Sequence, residues 1–124
     1  MKKKILVIDD SATVRRQVAS TLALAGYDAV EADSGANALG AIRANPGFAM
    51  AIADVNMPNM DGIEMLRWLR QTDVTPTLPV LMLTSEGDPD LVAAARNEGA
   101  KGWIIKPYRP DVLLAAVRKL AGEP

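Results

Sequence analysis

Neither cysteine nor histidine occurs among the 124 residues of this chain. Disulfides, thiolate nucleophiles and zinc or haem sites built on sulfur or imidazole are therefore excluded, which leaves hard oxygen ligands as the available metal chemistry. One-sided charge is lacking too: fourteen Lys plus Arg against fifteen Asp plus Glu give a net charge of −1. That balance offers no broad footprint for nucleic acid or a membrane surface. No apolar run approaches the roughly 20 residues of a membrane span. The basic opening at residues 1–4 is followed by only four apolar residues and no cleavage site, too little for a signal peptide. A cytoplasmic protein is expected. Repeats, linkers and low-complexity tracts are missing as well, so residues 1–124 read as a single domain. A chain of this size buries roughly two-thirds of the surface it exposes when unfolded.

What the chain does have is a recurring change of hydrophobic period. Residues 5–8 are continuously apolar, as in a strand buried on both faces of a parallel sheet, and they stop at Asp9-Asp10. From Ser11, the positions Val14, Val18, Leu22 and Ala25 recur at helical spacing, and Gly26 closes the helix. Residues 27–32 alternate polar and apolar, which suits an edge strand with one solvated side. Residues 36–45 form a weak helix closed by Pro46-Gly47. Phe48–Ala53 is the next buried strand; it ends on Asp54 and enters a loop punctuated by Pro58 and Gly62. Ile63, Leu66 and Leu69 make another helical stripe, which ends before residues 72–79, with Trp68 as a partly exposed packing residue. Residues 79–83 are a further buried strand ending at Thr84. Asp88 is an N-cap ahead of a first-turn Pro89, and Gly99 closes that helix. Its interior carries few large side chains, which marks it as the least stable helix. Gly102–Ile105 runs into Lys106-Pro107, and Pro110 opens a last helix with the stripe Leu113, Ala116, Val117 and Leu120.

Five alternations of strand and helix imply an α/β fold, a five-stranded parallel sheet flanked by five helices and doubly wound. The strand order 2-1-3-4-5 is taken over from known flavodoxin-like sheets, since alternation alone does not fix it. In that order the ends of the first and third strands are neighbours, which gathers Asp9, Asp10 and Asp54. The fourth strand delivers Thr84 and the fifth Lys106, while the edge strand contributes only a turn at Ala32 and Asp33. An Asp at a strand end is ordinarily a turn-capping residue; several strands ending on polar groups in one crevice are not explained that way. Two carboxylates about 4 Å apart repel by roughly 4 kcal/mol at an effective dielectric near 20. A divalent ion removes the conflict, and Mg²⁺ suits a site with few carboxylates, several waters and room for a phosphate oxygen. Lys106 then serves as a salt-bridge partner of Asp54, as a point charge for a phosphoryl oxygen, or as both in turn. Thr84 either bonds to nearby backbone or donates its hydroxyl to that phosphoryl group. The chemistry so assembled is phosphoryl transfer to the Asp54 carboxylate, giving an aspartyl phosphate.

Together, residues 8–16, residues 54–62, Leu83-Thr-Ser-Glu86 and Lys106-Pro107 resemble the receiver domain of bacterial two-component response regulators, and within them the single-domain chemotaxis regulators. The resemblance covers nearly the whole chain. It implies that a phosphohistidine on a separate sensor histidine kinase phosphorylates Asp54. Asp10 and Asp54, with the backbone carbonyl of Asn56, would hold Mg²⁺, and Asp9 would act through a water. Lys106-Pro107 would be a cis peptide. Thr84 and Trp103 would form a coupled switch pair, although the aromatic at this position is more often Tyr or Phe. Asn56 and Glu86 would tune the lifetime of the phosphoryl group; neither is a bulky shield, so self-dephosphorylation should be on the faster side.

The output implied is docking of the phosphorylated, monomeric protein on a partner, with no further effector domain expected after Pro124. The expected face is the fourth helix, fifth strand and fifth helix, with Trp103 and Tyr108 as an aromatic pair and Val92, Ile105 and Lys119 as weaker contributors. A flagellar motor switch protein is the first partner expected, with a phosphorelay protein or pilus machinery as alternatives. Three rival readings fit less well. A small aspartyl-phosphate hydrolase would carry Asp-x-Asp on its first strand and a cap. A flavin-mononucleotide carrier would need a Ser-, Thr- and Gly-rich first loop, where Asp9-Asp10 would repel a phosphate. A receiver-like module that has lost phosphorylation would not retain every required residue. The chain is therefore expected to assist its own modification without being a turnover enzyme.

Overall fold

In the computed structural model, residues 2–71 and 77–124 are described. The expected break after the third helix, at residues 72–79, lies largely outside them. The elements run β1 (Lys4–Ile8), α1 (Ala12–Leu24), β2 (Asp28–Ala32), α2 (Gly35–Ala44), β3 (Phe48–Ala53), α3 (Gly62–Gln71), β4 (Val80–Thr84), α4 (Pro89–Asn97), β5 (Gly102–Ile105) and α5 (Pro110–Ala121). The strands pair in parallel in the order β2-β1-β3-β4-β5. This is the doubly wound parallel sheet that the strand–helix alternation implied, in the strand order taken over from flavodoxin-like sheets.

Alternation along each strand sends side chains to two separate cores, as a sheet covered on both faces requires. Leu6 and Ile8 of β1 join Ala51, Ala53, Leu66 and Met82 in the core beneath α2, α3 and α4. Ile5 and Val7 join Val18, Leu22, Leu113 and Val117 beneath α1 and α5. Side-chain oxygens cap four helices: Ser11 accepts from the Val14 N–H, Ser34 from Asn37, Asp61 from Glu64 and Asp88 from Asp90. Gly26 stands just past α1 with φ of +101°, in the left-handed region that an L side chain resists.

Several boundaries shift by a residue. The edge strand starts at Asp28, because Tyr27 turns inward, 1% exposed, and donates its hydroxyl to the Gly122 carbonyl at 2.6 Å. α2 starts at Gly35 and β4 runs on through Thr84. Trp68 is half exposed, as expected, and Ala95 alone is fully buried on α4 among its described residues.

Register is what places the functional groups. Ile8 lies opposite both Ala32 of β2 and Ala53 of β3. The ladders continue one residue beyond the strands: the Asp9 N–H bonds the Ala32 carbonyl and the Asp54 N–H the Ile8 carbonyl, each at 3.1 Å. On the other side, the Lys106 N–H bonds the Thr84 carbonyl at 2.9 Å. Each polar residue is thus the first position past its strand, held by backbone at one edge of the sheet.

Candidate functional site

Two carboxylates sit almost out of water at the carboxyl edge of the sheet: Asp9 is 4% exposed and Asp54 6%. Buried carboxylates of this kind need charge-assisted partners. Both find the same one, since the Lys106 ammonium donates to Asp9 Oδ2 at 2.7 Å and to Asp54 Oδ2 at 2.8 Å. The salt bridge to Asp54 was legible in the sequence; its sharing with Asp9 was not. The other oxygen of each acid accepts from backbone, Asp9 Oδ1 from the Ser11 N–H and Asp54 Oδ1 from the Asn56 N–H. Burial works against the Lys106 ammonium, yet the hydrogen bonds and charges of Asp54 and Asp9 outweigh it and raise its pKa above the ordinary value. Lys106-Pro107 is cis.

Asp10 completes the group. One carboxylate oxygen from each of Asp9, Asp10 and Asp54 lies within 4.8 Å of the others, and Asp10 is the exposed member. Three carboxylates against one ammonium leave two formal negative charges in an all-oxygen nest. Charge and donor type both fit a hard divalent cation.

Glu86 ties three parts of the rim together. Its N–H donates to Thr84 Oγ1 at 3.3 Å, its carbonyl accepts from the Trp103 indole N–H at 2.8 Å, and its carboxylate accepts from Asn56 Nδ2 at 3.3 Å. Thr84 is fully buried, and the indole is half-buried against the core beneath α4. Thr84, Trp103, Asn56 and Glu86, expected as a switch pair and a lifetime pair, are thereby joined through one residue.

Trp103 and Tyr108 do not make a pair on one face. Trp103 packs with the α4-side core, near Val92. Tyr108 packs with the α1/α5 core, and its hydroxyl lies 3.2 Å from that of Thr21 on α1. It lines a groove of about 760 Å³ between α1 and the segment leading into α5. The alternation of β5 explains the split on the other side: Ile105, two residues beyond Trp103, shares its face and is 46% exposed. Lys119 is exposed on α5.

Two contributors were not singled out from the sequence. A Cβ on Gly62 would lie 2.3 Å from the Asp54 carbonyl oxygen and 2.8 Å from Met82 Cε, so only glycine lets the start of α3 approach the acid this closely. The glycine was visible as punctuation, but nothing in the sequence showed the approach. Arg15 donates from Nη1 to the Asp9 carbonyl at 2.8 Å and from Nε to Glu31 at 3.0 Å. The edge strand, read as giving only a turn, therefore reaches the site through Glu31.

Comparison with known proteins gives a consistent result. The model of the response regulator receiver domain matches residues 5–118. The chain is 36% identical over 120 residues to the chemotaxis protein CheY1 of Helicobacter pylori, covering 96% of this chain and 97% of that protein. It is equally similar, at 36%, to a CheY homologue of Campylobacter jejuni. Among solved structures, Vibrio cholerae chemotaxis protein CheY4 superposes with a TM-score of 0.91 at 36% identity, covering 97% of this chain and 99% of that one. A receiver domain protein of Clostridium thermocellum gives 0.88 at 31% identity.

Proposed function

The chain belongs to the response regulator receiver domains, and on that premise we propose that it is a phosphorylation-driven switch whose acceptor is Asp54. The observation that carries this reading is the Asp54 carboxylate, buried beside two further aspartates with Oδ2 on the Lys106 ammonium at 2.8 Å. A phosphohistidine on a sensor histidine kinase is the donor, as membership of the receiver domains implies, and none of these 124 residues is a histidine. An Asp54 carboxylate oxygen attacks phosphorus as the P–N bond breaks. The imidazole leaves with the bonding electron pair and takes a proton from water. Lys106, already within reach of Asp54, moves its charge from the carboxylate to a phosphoryl oxygen, which is most of what this transfer requires of a protein. Thr84 accepts from the Glu86 N–H and keeps its own hydroxyl hydrogen for donation to the phosphoryl group.

Asp9, Asp10 and Asp54, with the Asn56 carbonyl, would hold Mg²⁺, and when bound the ion neutralises charge on the transferring oxygens. The protein's part is to keep these oxygens pointed inward: backbone N–H groups fix one oxygen of Asp9 and one of Asp54.

Output comes from docking of the phosphorylated form on the face formed by α4, β5 and α5. Ile105 on β5 and Val112 on α5 are exposed apolar residues of these elements, Trp103 and Val92 lie near each other, and Lys119 is exposed on α5. The chemotaxis proteins to which this chain is similar favour a flagellar motor switch protein as the partner. Swinging such a switch from 1:99 to 99:1 takes about 5.5 kcal/mol of differential binding.

Asp54→Asn tests the acceptor. The variant should remain folded and take up no phosphate from acetyl phosphate with Mg²⁺, while the wild type is labelled on Asp54. Labelling of the variant to the wild-type extent would place the acceptor elsewhere. For the output, beryllofluoride-treated protein should bind a purified motor switch protein more tightly than the untreated form.

A further inference from the structure

Arg15 has no part in the chemistry just described, yet its side chain is only 14% exposed and donates to both Glu31 and the Asp9 carbonyl. The Asp9 carbonyl it holds belongs to the peptide that joins the two acids at the end of β1. A peptide unit is planar, so fixing its oxygen fixes the plane from which both the Asp9 and the Asp10 side chains depart. Asp9 has other anchors in the Ala32 carbonyl, the Ser11 N–H and Lys106. Asp10 is exposed, and among the described residues none donates a hydrogen bond to its carboxylate. Its position is set through that peptide. Glu31 on β2 holds the other side of the guanidinium, whose rigid fork can serve two oxygens at once where a lysine ammonium is a single point charge.

We propose that Arg15, oriented by Glu31, is a positioning residue that sets the Asp9-Asp10 turn for capture of a divalent cation and hence for phosphoryl acceptance at Asp54. This rests on the reading of the nest as a Mg²⁺-assisted acceptor. The sign of the effect separates positioning from plain charge. A guanidinium beside carboxylates repels a second cation, so as charge alone its loss should tighten Mg²⁺ binding. As a positioning group its loss should weaken binding, and outer partners of metal ligands are commonly worth about 10–100-fold in affinity.

The test is calorimetric titration with Mg²⁺ alone on the wild type, Arg15→Ala, Arg15→Lys, Glu31→Gln and the Ala/Gln double variant. It is paired with the Mg²⁺ dependence of labelling by acetyl phosphate and with melting curves in chelator. Arg15→Ala should weaken Mg²⁺ binding about tenfold. It should raise the Mg²⁺ needed for half-maximal labelling in parallel, with the rate recovering at saturating Mg²⁺. Arg15→Lys should resemble the Ala variant, because its charge is kept and the fork is lost. The double variant should be no worse than Arg15→Ala, since both residues act through one carbonyl. Unchanged or tighter binding in Arg15→Ala overturns the proposal, as does wild-type affinity in Arg15→Lys or an additive loss in the double variant. Should Arg15→Ala fail to fold, Arg15→Lys and Glu31→Gln carry the same comparison. A wild type that binds no Mg²⁺ removes the premise; a wild-type Mg²⁺ affinity in Arg15→Ala leaves the premise standing and removes only the role of Arg15.

Discussion

Asp10 is where function and stability pull apart within a single side chain. It faces two carboxylates whose ammonium partner is already shared between them, and it lies at the exposed end of the group. Its exposure lets water screen the repulsion, so the cost without metal falls from the roughly 4 kcal/mol of a poorly screened pair to about 1 kcal/mol, the value for charges in bulk water. Asp10→Asn should therefore raise the urea-unfolding free energy in chelator by about that amount. It should also abolish the gain that Mg²⁺ gives the wild type, about 2.7 kcal/mol at a hundred times the dissociation constant. Equal stability of the two proteins in chelator would show that the repulsion is not carried by the fold. Single residues of this kind were legible in the sequence because each stands at the end of an apolar run: Asp9, Asp10, Asp54, Thr84 and Lys106 all occupy such positions. Arg15 and Glu31 were not, because one lies on the polar side of a helix and the other on the solvated side of an edge strand. Only tertiary contact gives either a role.

At the level of elements, α3 and α4 are held in contrasting ways. The start of α3 is pressed against the Asp54 carbonyl, and Gly62→Ala would drive a methyl group into a backbone oxygen held by β3. Overpacking of this sort costs about 1–3 kcal/mol, and relief requires the β3–α3 loop to move away from Asp54. Gly62→Ala should accordingly lower both urea stability and the labelling rate with acetyl phosphate. A variant with the rate of the wild type would show that the loop adjusts without disturbing the acid. α4 buries only Ala95 completely among its described residues, so its amides should exchange with deuterium before those of the other helices. Exchange of α1 or α5 ahead of α4 would contradict that ordering. Helices were read from a 3.6-residue stripe and strands from apolar runs or, at the edge, from alternation, all local signals, and their order along the chain follows directly. What local signals could not supply was the side on which the chain leaves β5. Trp103 and Tyr108 are five residues apart, yet strand alternation and the turn at Lys106-Pro107 send them to opposite cores.

For the molecule as a whole, the acidic group of Asp9, Asp10 and Asp54 sits at the carboxyl edge of the sheet, while the opposite edge binds the first and last elements together. There Tyr27 donates to the Gly122 carbonyl just past α5, and Lys3, just before β1, donates to the Ala121 carbonyl at 2.8 Å. Burial raises the Tyr27 pKa, the Glu123 charge raises it further, and Arg118 opposes them without prevailing. A tyrosine whose folded pKa lies above its unfolded value near 10 binds its proton more tightly in the native state. Its contribution is fully present below about pH 10 and is lost as pH rises through the folded pKa. Tyr27→Phe should lose about 1 kcal/mol at neutral pH for the missing hydrogen bond. The wild type should give up that advantage between about pH 10 and the folded pKa, as its phenol comes under pressure to ionise and the phenylalanine does not. Melting temperatures of the two proteins measured from pH 7 to pH 11.5 should thus converge above about pH 10. Parallel curves over that range would mean that the buried phenol does not couple ionisation to folding, and that the edge remote from Asp54 owes its alkaline limit to other groups.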